Sequence, residues 1–316
     1  MRAMVIEAFG GPERLKAAEV PTPVAGDEEV LIALACTSVN PVDWKIGEGM
    51  LADMFPHSFP LIPGWDAAGT VSAVGRNADR FKAGDKVFAY CRKPQIQFGT
   101  YCEYVAVHES AVALMPGNLG FAEAATVPLT GLTAWQSLFD TAKLSAGEKI
   151  LIHAGSGGVG SLAIQLAKHA GATVYTTARA VNHDYVRSLG ADTAIDYTTE
   201  NFVDVLRKRE PDGIDVVYDT IGGHVQKRSY KVLRKGGRLV SIANIPDPEE
   251  ARPYDVRTAF VFVSPNGKQL RKIAELIESG AVRPADFEVM RLEDAAKAQE
   301  LSRAGHVRGK IVLRIR

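Results

Sequence analysis

From Lys149 onward, short apolar runs alternate with amphipathic ones, and this alternation restricts the fold more than any other feature of the chain. "KILI" (149–152), "TVYTT" (173–177), "TAIDY" (193–197), "IDVVYD" (214–219) and "GRLVSIA" (237–243) are nearly continuous in apolar and β-branched residues. Such runs suit strands buried on both faces. Between them, "VGSLAIQLAKHAG", "HDYVRSLG", "ENFVDVLRKR" and "VQKRSYKVLRKG" space their apolar residues as helices do. Strand, helix, strand in regular succession predicts a doubly wound parallel sheet. "TAFVFVSP" (258–265) adds a further strand, "GKQLRKIAELIESGAV" and "LEDAAKAQELSRAG" two late helices, and "GKIVLRI" a closing strand.

The first stretch of about 120 residues has a different texture. "MRAMVIEAF", "EEVLIALACTSV", "AAGTVSAVG", "DKVFAY" and "TYCEYVAV" read as strands bounded by Gly, Pro and Asp. Helical spacing begins at Phe121, with Pro128 and Gly131 as interruptions.

The turn after "KILI" is "HAGSGGVG" (153–160). Three chemistries compete for it. Gly155, Gly157 and Gly160 fit the dinucleotide pattern G-x-G-x-x-G in its required place, after a strand and before a helix. A triphosphate loop needs a lysine where Ser161 stands. Ala154-x-Ser156-x-Gly158 is a variant of the serine nucleophile elbow, with His224 or His306 as a base, but it leaves Gly155 and Gly160 without a purpose. The dinucleotide reading uses all three glycines, with Ser156, Gly158 and Val159 beside the phosphates at the helix start. An NAD site places Asp or Glu at the end of the next strand. Here Thr177, Ala178, Arg179 and Asn182 stand there, and no carboxylate comes before Asp184. Arg179, with Tyr197 at the end of the third strand, favours a 2′-phosphate and so NADPH.

In order along nearly the whole chain, "SVNPVDWKIGEG" (38–49), "PLIPGWDAAGTVSAVG" (60–75), "GTYCEYVAV" (99–107), "PLTGLTAWQSL" (128–138), "HAGSGGVGSLAIQLAKHAGATV" (153–174), "LGADTAIDY" (189–197), "LRKGGRLVSI" (233–242) and "GKIVL" (309–313) match one family. The chain resembles the medium-chain dehydrogenase/reductase superfamily, in its zinc-independent quinone oxidoreductase (zeta-crystallin-like) branch. The resemblance implies an α/β protein of two domains: a GroES-like, partly open β-barrel from residues 1–120 and 267–316, and a Rossmann-type doubly wound domain from residues 121–266. It also places Thr130, Ile245, Val263, Arg308 and Gly309 near the cofactor, and implies a homodimer through the edge strand "TAFVFVSP".

Zinc is not expected. The seven histidines and three cysteines form no H-x-x-H, H-x-x-x-H or C-x-x-C spacing. Against the zinc-dependent pattern, Asn40, Lys45 and Trp65 occupy ligand positions. Without zinc the chain loses the Lewis acid that stabilises an alkoxide. Reduction of a quinone or a conjugated C=C asks less, because hydrogen-bond donors suffice for a delocalised oxyanion. In "NPVDWK", Lys45 is the expected donor, with Asn40 and Asp43 orienting it and the nicotinamide ribose. Trp44, Met50, Phe55 and Tyr90 are candidates to line a flat site.

The expected activity is NADPH-dependent reduction of quinones or α,β-unsaturated carbonyls. An enoyl-thioester reductase and an NADPH-binding structural or RNA-binding module are the alternatives. Lys plus Arg equals Asp plus Glu at 37 each, which argues against a nucleic-acid partner. No apolar run approaches a membrane span, and no signal peptide is visible, so a cytoplasmic protein acting on a small molecule is expected.

Overall fold

A computed structural model of the protein describes residues 1–316. Two compact units are distinguished: Met1–Leu132 with Ser264–Gly280 and Pro284–Arg316, and Thr133–Val263 with Ala281–Arg283.

In the second unit the apolar runs form one parallel sheet of six strands, in the order Thr193–Ile195, Thr173–Thr177, Lys149–Ile152, Ile214–Asp219, Leu233–Ser241 and Arg257–Phe260. The chain winds outward from Lys149–Ile152 on one side, then returns to Ile214–Asp219 and winds out on the other. That reversal makes a crevice beyond the carboxyl ends of the two central strands. The strand starts are tied by charge. Lys149 and Tyr175 both bond Glu210, Arg234 meets Asp215 at 2.6 Å, and Arg238 meets Glu148 at 2.5 Å. The fifth strand begins four residues before the expected "GRLVSIA", at Leu233, because the chain leaves its helix through a short 3-10 turn, Tyr230–Val232.

In the first unit, Glu29–Val39 is the central strand. Asp66–Val74 lies on one side of it. Along its other side Tyr104–His108 pairs with its first half and Lys310–Arg314 with its end. Lys86–Tyr90, Val112–Leu114 and Phe287–Arg291 complete a seven-stranded sheet. Helix Phe121–Ala125 packs on Glu29–Val39 and Asp66–Val74, which keeps it with this unit; the boundary in contacts therefore falls after Leu132 rather than near residue 121. Gly131 does not interrupt the following helix, Pro128–Trp135, and its bare Cα lets Ile273 approach.

Candidate active site

Strand Lys149–Ile152 ends in the glycine turn, and helix Gly158–His169 begins after it. The left-handed residue of the turn is Ala154, with φ 49°, and not a glycine. The glycines serve proximity instead. A Cβ on Gly155 would collide with Thr176 Oγ1 and lie 2.8 Å from Ile164 Cδ1. One on Gly160 would collide with the Ala154 carbonyl and lie 2.8 Å from Gly155 Cα. One on Gly157 would meet only the Ala154 carbonyl oxygen, at 3.4 Å, and otherwise point into open space. Gly157 is also the N-cap of the helix and supplies no side chain to its free N–H groups. Gly158, Val159 and Gly160 thus present the donors of an uncapped 12-residue helix. That arrangement fits a pyrophosphate.

His153, at the head of the turn, is fully buried. Its Nδ1 lies 3.1 Å from Thr177 Oγ1 and its Nε2 2.9 Å from Ser229 Oγ. Ser229 donates to the Val225 carbonyl, and Thr177 Oγ1 accepts from Ala154 N. Ser229 Oγ therefore accepts from the Nε2–H, and the Thr177 hydroxyl donates to Nδ1. Burial lowers the imidazole pKa to about 4, so the ring is neutral at pH 7. Ser156 Oγ accepts from Asn182 Nδ2 at 3.2 Å, and no imidazole bonds it, so the nucleophile reading lacks its base.

Beyond the second strand, Arg179 caps the short turn Ala180–Asn182 and makes no ion pair. Tyr197 is 51% exposed close by in sequence to the third strand end. A free guanidinium where an NAD site carries a carboxylate suits a 2′-phosphate. Ile245 is exposed in the loop after the fifth strand. Val263 is buried at the end of the unit. One organiser went unnoticed in the sequence. Asp219, fully buried at a strand end, accepts from Ile221 N, Gly222 N, Gln226 Nε2 and Ser241 Oγ at 2.8–3.1 Å. It joins the ends of two adjacent strands and shapes the loop carrying exposed Ile221. An isolated Asp before "TIGG" gave no signal of this.

In the first unit, "NPVDWK" runs from the N-cap into helix Pro41–Gly47. Asn40 stands at its N-cap and Pro41 opens it; Asp43 reaches back to the Asn40 N–H, while the Asn40 side chain makes no capping bond. Asn40 N donates to Asp43 Oδ2 at 2.8 Å, and Tyr101 OH donates to the same oxygen at 3.0 Å. Asp43 Oδ1 is buried without a partner. Burial pushes the Asp43 carboxyl up to about 7, against the pull of the Asn40 N–H and the Lys310 charge. Neither Asn40 nor Asp43 holds Lys45. The Lys45 ammonium lies 5.5 Å from the Trp44 ring centre and makes no ion pair. The lysine bonded to Asn40 is Lys310, a residue the sequence reading did not single out.

The other expected residues have mixed roles. Thr130 is buried and bonds back to the Thr126 carbonyl within its helix. Arg308 pairs with Asp286 at 3.1 Å, and Gly309 (φ 70°) lies against the Asp286 carbonyl, where no Cβ fits. Tyr90 is core, edge-on to Trp65, whereas Met50 is 59% exposed. No three His, Cys, Asp or Glu side chains are grouped as a metal site.

A uncapped, glycine-cradled helix on a 3-2-1-4-5-6 parallel sheet, joined to a second β-rich unit, defines a nucleotide-dependent dehydrogenase architecture. The alcohol dehydrogenase GroES-like domain family matches residues 26–134, and the family described as zinc-binding dehydrogenase matches residues 189–313. The chain belongs to the medium-chain dehydrogenase/reductase superfamily of oxidoreductases, in its quinone oxidoreductase branch. It is 39% identical to the NADPH-dependent alkenal/one oxidoreductase, chloroplastic, of Arabidopsis thaliana, over 99% of this chain and 79% of that protein. The structure of the quinone oxidoreductase from Coxiella burnetii superposes with a TM-score of 0.89 at 33% identity, over 100% and 99% of the two chains. Escherichia coli quinone oxidoreductase complexed with NADPH does so at 0.89 and 26%, over the whole of both.

Proposed function

We propose that the protein is an NADPH-dependent reductase of quinones or α,β-unsaturated carbonyl compounds that works without zinc. The observation that carries this reading is the unpaired Arg179 beyond a glycine turn built for a pyrophosphate, where a carboxylate would select NAD. The relatives named for alkenal/one and quinone reduction support the substrate class.

The glycine turn and helix start hold the diphosphate, and Arg179 with Tyr197 holds the 2′-phosphate. Bound NADPH supplies hydride. Lys45 donates a hydrogen bond to the carbonyl oxygen that gains charge as hydride arrives, and Asn40 and Asp43 fix the start of the helix that carries it. The edge strand Arg257–Phe260, half-buried from Thr258 to Phe260, is the surface through which two copies pair. Three buried cysteines, none in a disulfide, agree with a cytoplasmic setting.

NADPH and NADH oxidation, measured across quinones, short enals and enones, and enoyl thioesters, tests the reading. Turnover of quinones or enones with NADPH is expected. The variant Lys45→Met is expected to lose about a hundredfold in kcat, the size of one oxyanion donor. Activity with NADH alone, or tight NADPH binding with no acceptor turned over, overturns the reading.

A further inference from the structure

Lys310 opens the closing strand of the first unit, and its register with Glu29–Val39 sets it beside Asn40. Its side chain is 4% exposed. The ammonium donates to the Val39 carbonyl at 2.8 Å and to Asn40 Oδ1, and Asp66 Oδ2 lies 3.6 Å away. Asp66 is fully buried. Its Oδ2 also takes Ser38 Oγ at 2.6 Å and Asn40 Nδ2 at 2.7 Å, and its Oδ1 takes Leu129 N at 2.7 Å. Lys310, Asn40 and Asp66 thus meet at one end of three neighbouring strands.

For stability alone a buried ion pair has no advantage over apolar residues of the same volume. The arrangement does something an apolar pair cannot. With Oδ1 on an ammonium and Nδ2 on a carboxylate, the Asn40 amide has one orientation; a flip would set its NH2 against the ammonium and its oxygen against Asp66. Asn40 N then donates to Asp43 Oδ2 in the first turn of the helix that leads to Lys45.

We propose that Lys310 is the positioning cation of the reductase site: it locks the Asn40 amide and, through Asn40 and Asp43, fixes the start of the helix that carries Lys45. The inference rests on the reading of Lys45 as the donor to substrate.

The test uses Lys310→Gln, Lys310→Arg and the double variant Asp66→Asn/Lys310→Gln, with NADPH and the acceptor that the native enzyme turns over best. Melting temperature and NADPH fluorescence titration are read beside kcat and KM. The single neutral variant is expected to melt below the double one, because it leaves Asp66 charged and unpaired. Both neutral variants are expected to bind NADPH within about threefold of native and to lose about tenfold or more in kcat at little-changed KM, the mark of lost orientation. The pH–rate profile of Lys310→Gln is expected to move upward, since Asp43 keeps the Asn40 N–H, the Tyr101 hydroxyl and the neighbouring Asp66 but loses the Lys310 charge; in the double variant, which also lacks the Asp66 charge, the rise is expected to be smaller. Lys310→Arg is expected to restore most of kcat. A folded double variant with native kcat and native pH profile overturns the proposal. So does a double variant that cannot fold, which would make Lys310 a residue of stability only. Native protein that turns over no acceptor overturns the functional reading as well, whereas native turnover indifferent to Lys310 overturns this inference alone.

Discussion

Two alanine substitutions three residues apart separate what the glycine turn does for the fold from what it does for the ligand. At Gly160 the new Cβ collides with the Ala154 carbonyl and sits 2.8 Å from Gly155 Cα. Both obstacles are backbone in a turn already left-handed at Ala154, so helix and strand must move apart. Overpacking of this kind costs about 1–3 kcal/mol. At Gly157 the backbone is extended (φ −80°, ψ 172°), which alanine adopts freely, and the Cβ makes one ordinary contact at 3.4 Å. Its effect on stability is expected within about 0.5 kcal/mol. The open space it fills is the space a diphosphate would enter. Loss of one charge-assisted hydrogen bond from the helix start, at about 1.5–3 kcal/mol, weakens NADPH about 10- to 100-fold.

Urea unfolding of the apo protein and NADPH fluorescence titration read the two effects separately. Gly157→Ala is expected to unfold like native and bind NADPH poorly; Gly160→Ala is expected to unfold earlier. If Gly157→Ala binds NADPH with native affinity, the turn does not hold the diphosphate, and the cofactor assignment in this unit fails. If Gly160→Ala is as stable as native, the close-approach reasoning fails instead.

Arg179→Ala is expected to weaken NADPH by at least tenfold, through loss of one charge-assisted contact, and to leave NADH affinity within about twofold. Equal losses for both nucleotides in paired titrations would remove Arg179 from 2′-phosphate recognition. His153 gives an acid limb to stability. Its folded pKa, about 4, lies below the ordinary 6.5, so its contribution is present above pH 6.5 and is lost as the pH falls through 4. The full loss is on the order of 3 kcal/mol. Urea midpoints between pH 7 and 4.5 are expected to fall more steeply for native protein than for His153→Gln, and parallel slopes would contradict it.

The parallel sheet was legible because burial on both faces removes polar residues from its strands, and the glycine turn was legible because close approach excludes a Cβ at Gly155 and Gly160 and open space is left at Gly157. What each glycine does was less so. The left-handed conformation belongs to Ala154, which no spacing rule would select. The helix Pro41–Gly47 was missed for a related reason: seven residues following a long strand are too short to show a helical period, and only the capping pair Asn40 and Asp43 marks them.

The site around Asn40 was hidden by a different kind of distance. Asn40 and Lys310 are 270 positions apart, and "GKIVL" looks like any closing strand preceded by a glycine turn. A lysine at the first position of such a strand ordinarily reads as solvated. Here two facts of topology bury it. The closing strand pairs with the end of Glu29–Val39, which brings its first residue level with Asn40, and Asp66 begins the strand on the other side. The carboxylate makes the buried ammonium tolerable, and the ammonium gives Asn40 its only orientation. The lysine that sequence proximity assigned to Asn40 was Lys45, five positions on; the one that packing assigns is Lys310. Local motifs identify the groups that meet substrate more readily than the charge that holds them, because the holding charge can enter from any strand that ends at the same place.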